Sequence, residues 1–323
     1  MLQVHPLGRC NLSCLHCYSS SGPAVTEELE TGLLLGAIQD AAQEGYNVLA
    51  VSGGEPLLYR ELSQLIECAR NLGMTATVTT NGTLLNARRL KSLRGLDLLA
   101  ISLDGTPDSH DRMRGRGSFL QMARRLEQVR AAGLPFGFIF TLTMQNLSEL
   151  EWIARFALDQ GAALLQVHPL ELAGRGRQMS EHRPDEEELQ WAVVEAARLQ
   201  TVVGPSVVIH VDALPAGGLR DIGDCEYQSL PFAFLLHPLI IESDGTVVPA
   251  EHGFDRRWKL GSLYDRSLAV SIQQFRAERL GAFRKQIVAG ALTDAAAAGV
   301  RFVNWHEALT RRAREVAVSA PNA

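Results

Sequence analysis

The chain has 323 residues, 46% of them hydrophobic and 21% charged, which suits one large α/β domain or two domains and excludes wholesale disorder. A formal net charge of −5 argues against a broad electrostatic grip on nucleic acid or an anionic membrane. No apolar run reaches the roughly 18–20 residues of a membrane span and no signal peptide is evident, which predicts a cytoplasmic protein.

In the first half of the chain, short apolar runs alternate with longer helical patterns, as in repeated βα units. Six strands are predicted, at Leu2–His5, Asn47–Ser52, Thr75–Thr79, Leu98–Ser102, Gly137–Thr143 and Leu164–His168. Apolar residues at three-to-four spacing predict crossover helices at Glu27–Glu44, Glu61–Leu72, Leu84–Leu93, Phe119–Ala132 and Leu147–Gln160. The strands look near-continuously apolar, which is typical of strands covered on both faces. Polar turns follow them, at the edge where such sheets and barrels bind ligands.

After His168 the pattern changes. A polar stretch precedes a predicted helix at Glu187–Leu199 and a strand-like run at Ser206–Val211. Asp244-Gly245 between two apolar runs predicts a hairpin, and the tail from Ile272 is helical in pattern.

Three of the five cysteines, Cys10, Cys14 and Cys17, lie close together after the first predicted strand. A structural zinc ion normally takes four protein ligands, whereas a [4Fe-4S] cluster on three thiolates leaves one iron open to bind something else. A zinc site stays open as an alternative, with its fourth ligand drawn from Cys68, Cys225 or His16.

The segment from Gly8 to Tyr18 resembles the cluster loop of the radical S-adenosylmethionine (radical SAM) superfamily in its cysteine spacing and in the aromatic residue after the third cysteine. The resemblance continues through Ser52–Pro56, Thr80–Gly82 and Ile101–Gly105. It implies an α/β fold with a partial (β/α)6 TIM-like barrel over residues 1–175. It also implies a [4Fe-4S] cluster on the three cysteines, whose open iron is chelated by S-adenosylmethionine before one electron breaks the C5′–S bond.

Four further residues follow the second and third predicted strands. Gly53 and Gly54 have no Cβ and would let backbone approach a ligand, and Glu55 is an acceptor suited to the ammonium group of S-adenosylmethionine. Asn81 would bond the ligand or adopt a left-handed turn.

The resemblance also implies contacts to the nucleoside. Tyr18 would lie beside the adenine, Ser102 and Asp104 would bond the ribose hydroxyls, and backbone groups near Leu170 would face the adenine. Arg114 could reach a carboxylate, although an exposed loop arginine is the simpler expectation.

Residues 176–323 resemble the α+β SPASM/twitch-like extension of peptide-modifying relatives, whose cysteines bind auxiliary clusters. Here Ala250 stands where a ligand cysteine is expected, and only Cys225 remains in this half. We therefore expect a single cluster and a degenerate, metal-free extension that closes the barrel mouth. Cys225 is either an ordinary buried thiol or a hydrogen-atom donor.

The expected function is maturation of a ribosomally made precursor peptide by epimerisation, crosslinking or backbone excision. The first strand begins at about Leu2, so we expect a separate small leader-recognition protein rather than a fused domain, and an electron donor such as flavodoxin or ferredoxin. The alternatives are a radical SAM enzyme of cofactor, porphyrin or antibiotic biosynthesis and a non-catalytic metal-binding or sensing protein. The spacing selects no general base among the available groups, His210, His237, His252, Asp212, Glu171 and Glu251.

Overall fold

The computed structural model describes residues 1–219 and 230–319. In the first half, six strands alternate with helices, as predicted. The strands are β1 (Leu2–Val4), β2 (Val48–Val51), β3 (Thr75–Thr80), β4 (Leu98–Ser102), β5 (Phe136–Leu142) and β6 (Leu164–Pro169). The helices are α1 (Thr31–Gln43), α2 (Leu62–Asn71), α3 (Ala87–Ser92), α4 (Pro107–Arg114), α5 (Ser118–Ala131) and α6 (Leu150–Gln160).

The second half mixes short strands with helices. Its strands are β7 (Val208–Val211), β8 (Leu214–Pro215), β9 (Leu239–Ile241), β10 (Thr246–Pro249), β11 (Gly261–Ser262) and β12 (Phe302–Val303). Its helices are α7 (Glu186–Val203), α8 (Phe232–Leu235), α9 (Leu268–Glu278), α10 (Leu280–Phe283), α11 (Ala289–Ala298) and α12 (Trp305–Ser319).

Strands β1 to β7 pair in chain order and all run parallel. An uninterrupted parallel order is typical of the wall of a βα barrel, whereas a doubly wound sheet reverses its order part-way. Strand β9 adds to the free side of β1, and the antiparallel strands β10 and β11 follow it. The boundary predicted at residue 175 therefore falls within one continuous sheet, and the division into two domains stays a prediction.

The two faces of this sheet differ in polarity. The register places Gln3, Ala50 and Thr77 side by side on one face, and Ile139, Gln166 and His210 follow on the same face. The opposite face is apolar and packs into the main hydrophobic core with the helices. Side chains alternate between the two faces along a strand. The prediction that both faces are covered is wrong, because helices cover the apolar face while the other face is polar. We call the polar face the inner face. The inner face carries Gln3, Ser52, Thr77, Thr79, Ser102, Thr141, Gln166, His168 and His210.

Helix α4 is missing from the predicted elements, because it is short and polar and gives no apolar spacing. Its sequence nevertheless carries helix signals, with Pro107 and Asp108 in the first turn and Arg112 and Arg114 in the last. Its position matters, since it follows β4 at the edge where the parallel strands end.

Candidate active site

The three predicted cluster cysteines lie on one loop between β1 and α1. Cys10 and Cys14 are buried and Cys17 is half-buried. The loop is fixed from within, because the Cys17 N–H donates to Cys14 O at 3.4 Å and the Cys10 N–H donates to Gly22 O at 3.1 Å. The three thiols are therefore held on a preformed loop at the carboxyl edge of the sheet.

The surroundings of these thiols fit an iron–sulfur cluster. Burial raises the pKa of Cys10 to about 11 and also raises the pKa of Cys14, against the opposing charge of Arg114. Cys10 Sγ lies 3.4 Å from the Leu12 N–H nitrogen and 3.8 Å from Asn81 Nδ2. Thiols with raised pKa values become thiolates when a metal binds, and donors directed at sulfur stabilise that charge. Three soft ligands with such donors suit a [4Fe-4S] cluster.

Arg114, at the end of α4, is a buried cation beside the cysteine loop. Its Nε donates to Asp104 Oδ2 at 2.5 Å, and its Nη1 lies 4.0 Å from Cys14 Sγ. His16 Nε2 lies 3.2 Å from the same Asp104 oxygen. Burial disfavours the charge of Asp104, but Arg114 and His16 outweigh it and hold the pKa of this carboxyl well below its usual range.

This geometry bears on two expectations. Asp104 is fully buried and its carboxylate accepts hydrogen bonds from Arg114 and the Thr141 N–H, and its contact with the ribose hydroxyls stays a prediction. The Arg114 side chain is 10% exposed and is not a solvated loop residue. The end of α4 is joined to the cysteine loop, because the Leu15 N–H donates to Met113 O at 2.9 Å.

The Glu55 carboxylate is held by protein donors, and its contact with the ammonium group of S-adenosylmethionine stays a prediction. Its Oε1 accepts from the Leu57 N–H at 3.1 Å and from Thr80 Oγ1 at 2.7 Å, and its Oε2 accepts from the Asn81 N–H at 2.9 Å. Burial raises the pKa of Glu55, while these hydrogen bonds oppose the shift. Glu55 therefore fixes the turn that follows β3.

Asn81 connects that turn to the cysteine loop. Its Nδ2 donates to Asn11 Oδ1 at 3.0 Å, and its Oδ1 accepts from the Thr83 N–H at 3.0 Å. The left-handed residue of the turn is Gly82, with φ of 76°, and not Asn81. Asn81 is thus placed beside Cys10, 3.8 Å from its sulfur atom.

Gly53 and Gly54 allow a close backbone approach, but the approaching chain is the cysteine loop itself. Gly53 has φ of 112°, and the Gly54 N–H donates to Leu7 O at 2.9 Å. A Cβ on Gly54 would lie 2.1 Å from Arg9 O, which backbone contacts do not permit. The Gly-Gly-Glu motif therefore positions the metal-binding loop.

We expect Gly54→Ala to displace the cysteine loop, lower the free energy of unfolding by about 1–3 kcal/mol and reduce iron retention. Urea denaturation of the metal-free protein and iron analysis after reconstitution measure the two effects. Gly36→Ala is the matched control, because a Cβ at this position in α1 meets nothing within 4 Å. Equal iron content in both variants would show that the contact at Gly54 is unimportant.

Tyr18 packs among histidines on the inner side of the sheet. Its ring lies 5.7 Å from the His5 ring and 5.5 Å from the His252 ring, both edge to face, and its hydroxyl lies 2.9 Å from Ser52 Oγ. Ser102 also lies on the inner face, and its hydroxyl makes no hydrogen bond with the described residues. Contact of Tyr18 with adenine and of Ser102 with ribose stay predictions.

Leu170 follows β6 and is buried in a small cluster with Met113 and Met179. Its N–H donates to Leu142 O at 3.0 Å, so this backbone donor already has a partner. Its predicted adenine contact would have to use other backbone groups and stays a prediction.

Arg175, which follows β6, also binds the backbone of the cysteine loop. Its N–H donates to Cys17 O at 3.0 Å and its Nε donates to Cys14 O at 2.8 Å. Its Nη2 is buried without a partner in the described chain. Gly174 makes this approach possible, since a Cβ there would lie 2.5 Å from Cys17 O. In sequence, Gly174-Arg175-Gly176 resembles the adenine-side loop of the radical SAM superfamily, where backbone groups bind. That resemblance does not predict the contact of the Arg175 side chain with the cysteine loop.

The zinc alternative stays open. Among residues 1–219 and 230–319, no three His, Cys, Asp or Glu side chains lie close enough together to hold a metal ion, and this includes the three loop cysteines. Cys68 lies on α2 against the core, and His16 contacts Asp104 and Arg114. Cys225 lies outside the described residues.

A second polar cluster lies at the ends of β6 and β7. His168 contacts Asp212 through Nδ1 and Glu171 through Nε2, the latter at 2.6 Å. Burial lowers the pKa of His168, but the two carboxylates outweigh burial and hold it well above its usual range. Gln166 Nε2 donates to Asp212 Oδ2 at 3.0 Å, and His210 Nε2 lies 3.3 Å from Asp212 Oδ1. This histidinium is thus fixed between two carboxylates at the edge of the inner face.

Glu251, in the extension just after Ala250, is buried near this cluster. Burial is the largest cause that raises the pKa of Glu251 to about 8, and the negative charge of Glu171 is the second. The unfolded chain loses this proton near the ordinary value of 4.5, so the stabilising effect of the proton is complete below pH 4.5 and is lost as pH rises to about 8.

Glu251→Gln should therefore unfold with a weaker pH dependence than the native chain. The native unfolding free energy should fall, relative to the variant, by about 1.4 kcal/mol per pH unit between these two pKa values. Urea denaturation of the metal-free proteins at pH 5, 6.5 and 8 measures this. Parallel pH profiles would contradict the raised pKa.

Comparison with known proteins identifies the family. A model of the Radical SAM superfamily matches residues 4–157. The chain is 31% identical over 278 residues to mycofactocin maturase MftC of Mycolicibacterium smegmatis, covering 79% of this chain and 69% of that protein. The chain belongs to the radical SAM superfamily. It is also 35% identical over 189 residues to Fe-coproporphyrin III synthase of Methanosarcina barkeri, covering 57% of this chain and 47% of that protein.

This radical SAM protein spans about half the length of several curated relatives, including two heme-related synthases. Streptococcus suis SuiB bound to S-adenosylmethionine has a similar structure, with a TM-score of 0.68, 16% identity and coverage of 88% of this chain and 67% of that one. A second structure, SuiB bound to precursor peptide SuiA, has a TM-score of 0.62, 14% identity and coverage of 76% and 58%. These likenesses confirm the predicted fold. No helix within the described residues is long and apolar enough to cross a membrane.

Proposed function

We propose that this protein is a radical SAM enzyme with a single [4Fe-4S] cluster on Cys10, Cys14 and Cys17, and that it abstracts a hydrogen atom from a precursor peptide. When bound, the reduced cluster supplies the electron that cleaves S-adenosylmethionine. The observation that carries the proposal is the three-thiol loop, held at the carboxyl edge of a parallel sheet with donors directed at its sulfur atoms.

Other residues of this chain would orient S-adenosylmethionine. Arg114 places a guanidinium beside Cys14 and holds the Asp104 carboxylate, while Ser102 offers a free hydroxyl to the ribose. Asn81, next to Cys10, is suited to polar groups at the open corner, and Tyr18 would flank the adenine. Gly53 contributes by fixing the loop backbone.

The share of this chain that each sequence similarity covers favours a peptide substrate. Similarity to the mycofactocin maturase covers 79% of this chain, so it includes much of the extension, whereas similarity to Fe-coproporphyrin III synthase covers 57%. Ala250, buried at the end of β10, offers no sulfur for an auxiliary cluster. We infer a metal-free extension, a separate leader-recognition protein and a flavodoxin- or ferredoxin-like electron donor in the cytoplasm.

A second candidate is a radical SAM enzyme of porphyrin or other small-molecule biosynthesis. It is favoured by the 35% identity to Fe-coproporphyrin III synthase over the shared region. Its substrates would carry several carboxylates and would need cationic partners on the inner face.

The test is anaerobic reconstitution with iron and sulfide, followed by dithionite, S-adenosylmethionine and either a candidate precursor peptide or a porphyrin. We expect 5′-deoxyadenosine and a mass change of the peptide. A mass change of the porphyrin alone would favour the second candidate. A reconstituted, coloured protein that never cleaves S-adenosylmethionine would indicate a binding or sensing protein and defeat the proposal.

A further inference from the structure

Glu251 is a buried carboxyl group with one free oxygen. It is 8% exposed, and its Oε2 accepts a hydrogen bond from Thr310 Oγ1 of α12 at 2.7 Å. Its Oε1 is buried and has no partner within the described residues. Buried carboxyl oxygens are rarely left unpaired, because their lost hydration is not replaced. The free oxygen therefore indicates a hydrogen-bonding partner that the described residues of the protein do not supply.

The charges around Glu251 indicate the sign of that group. Three charged groups act on it electrostatically, Glu171 and His168 at the end of β6 and Glu307 on α12. His168 is the cation of this cluster, but it already contacts both Glu171 and Asp212. Glu171 and Asp212 share the one charge of His168, and His210, which is 60% exposed, contacts Asp212 at 3.3 Å. Beside Glu171 this leaves an excess of negative charge even when Glu251 is neutral.

The remaining charged groups do not reverse this excess. Glu307 is paired with Arg183 at 2.8 Å, and His306 of α12 faces Glu171 and His168. Burial lowers the pKa values of both His306 and His252, so these histidines are neutral at pH 7. A positive charge is therefore missing from this corner of the site.

A cavity with an acidic rim shares Glu307 with this cluster. Glu307 and Pro169, the last residue of β6, line a cavity of 490 Å³. Four carboxylates line this cavity against two arginines, Arg183 and Arg311; the carboxylates are Asp185, Glu186, Glu187 and Glu307. Such a rim attracts cations and repels anions.

We propose that Glu251 and Glu171 form a subsite for a cationic group of the substrate, an ammonium or guanidinium such as a lysine or arginine side chain. The inference rests on the proposed function in taking the substrate to be a peptide. The cation would bond Oε1 of Glu251 and relieve its repulsion with Glu171. Glu251 would then release its proton to solvent, so that binding exchanges one proton for one cation.

The test is calorimetric binding of short glycine-rich peptides to the anaerobically reconstituted protein with S-adenosylmethionine at pH 7. The peptides differ only in a central lysine, arginine or norleucine. The two cationic peptides should bind about tenfold more tightly than the norleucine peptide and release protons, seen as a dependence of the heat on buffer ionisation. Glu251→Gln should remove both the preference and the proton release, whereas Glu278→Gln, an exposed control on α9, should retain both.

Equal binding of all three peptides, absence of binding by any, or an unchanged preference in Glu251→Gln would overturn the subsite. Circular dichroism and iron content show whether the Gln variant is folded and loaded, and Thr310→Val, which removes the hydroxyl that holds Glu251, should weaken the preference independently. A cation preference without modification of any precursor peptide would defeat peptide maturation and leave the subsite standing. Modification of a precursor peptide without the cation preference would defeat the subsite and leave peptide maturation standing.

Discussion

Replacing any one of Cys10, Cys14 and Cys17 with alanine is expected to abolish the cluster and, with it, cleavage of S-adenosylmethionine. Two thiolates cannot hold a cluster that already lacks a fourth protein ligand. The measurement is iron and acid-labile sulfide per chain after anaerobic reconstitution, which should fall from about four of each to background. Formation of 5′-deoxyadenosine should disappear in the same variants.

Cys68→Ala and Cys225→Ala are the controls. Cys68 lies on α2 against the core, so its loss should leave iron content unchanged. Cys225→Ala should retain cofactor cleavage even if it alters the product. A variant without Cys14 that still bound four irons, or a variant without Cys68 that lost them, would contradict the assignment of ligands.

Asp104→Asn is expected to be the most destabilising single change outside the cysteine loop. It leaves the buried Arg114 guanidinium without its carboxylate, and breaking a buried pair in this way costs about 3–5 kcal/mol. Because the pKa of Asp104 is held well below 3.8, its stabilising charge is present above that value and is lost only as pH falls through the lower folded pKa. Urea denaturation of the metal-free protein at pH 7 measures the loss.

Glu151→Gln is the matched control, since Glu151 pairs with Arg155 and Arg198 at the surface and its loss should leave stability almost unchanged. Adding Arg114→Met to Asp104→Asn should recover part of the loss, because the uncompensated charge is removed. Equal stability of Asp104→Asn and the native chain would show that the buried pair does not hold the cysteine loop.

The sequence predicts the order of strands and the position of each polar turn, because these depend on local patterns of apolar and turn residues. It does not predict the partners of those turns. Glu55 follows β2 in a recognisable motif, yet its carboxylate bonds Thr80 and Asn81, about 25 residues away. A carboxylate that faces a ligand and one that binds a neighbouring turn look the same in a sequence.

Other features of the site depend on register. His168 and Asp212 meet because β6 and β7 are adjacent, and no local pattern connects residues 44 positions apart. The polar inner face, by contrast, is visible in the alternation of Thr75–Thr80, where every second residue is threonine. The burial of Arg114 is not predicted, because α4 is short and has no apolar stripe.

In the proposed enzyme, three cysteines leave one iron of a cluster open to S-adenosylmethionine. Mössbauer spectroscopy of protein reconstituted with ⁵⁷Fe, recorded with and without S-adenosylmethionine, tests it directly. We predict the spectrum of a [4Fe-4S] cluster in which one iron site changes on addition of S-adenosylmethionine while the other three do not. Four irons that are indifferent to S-adenosylmethionine, or a mononuclear metal ion in place of the cluster, would contradict the account.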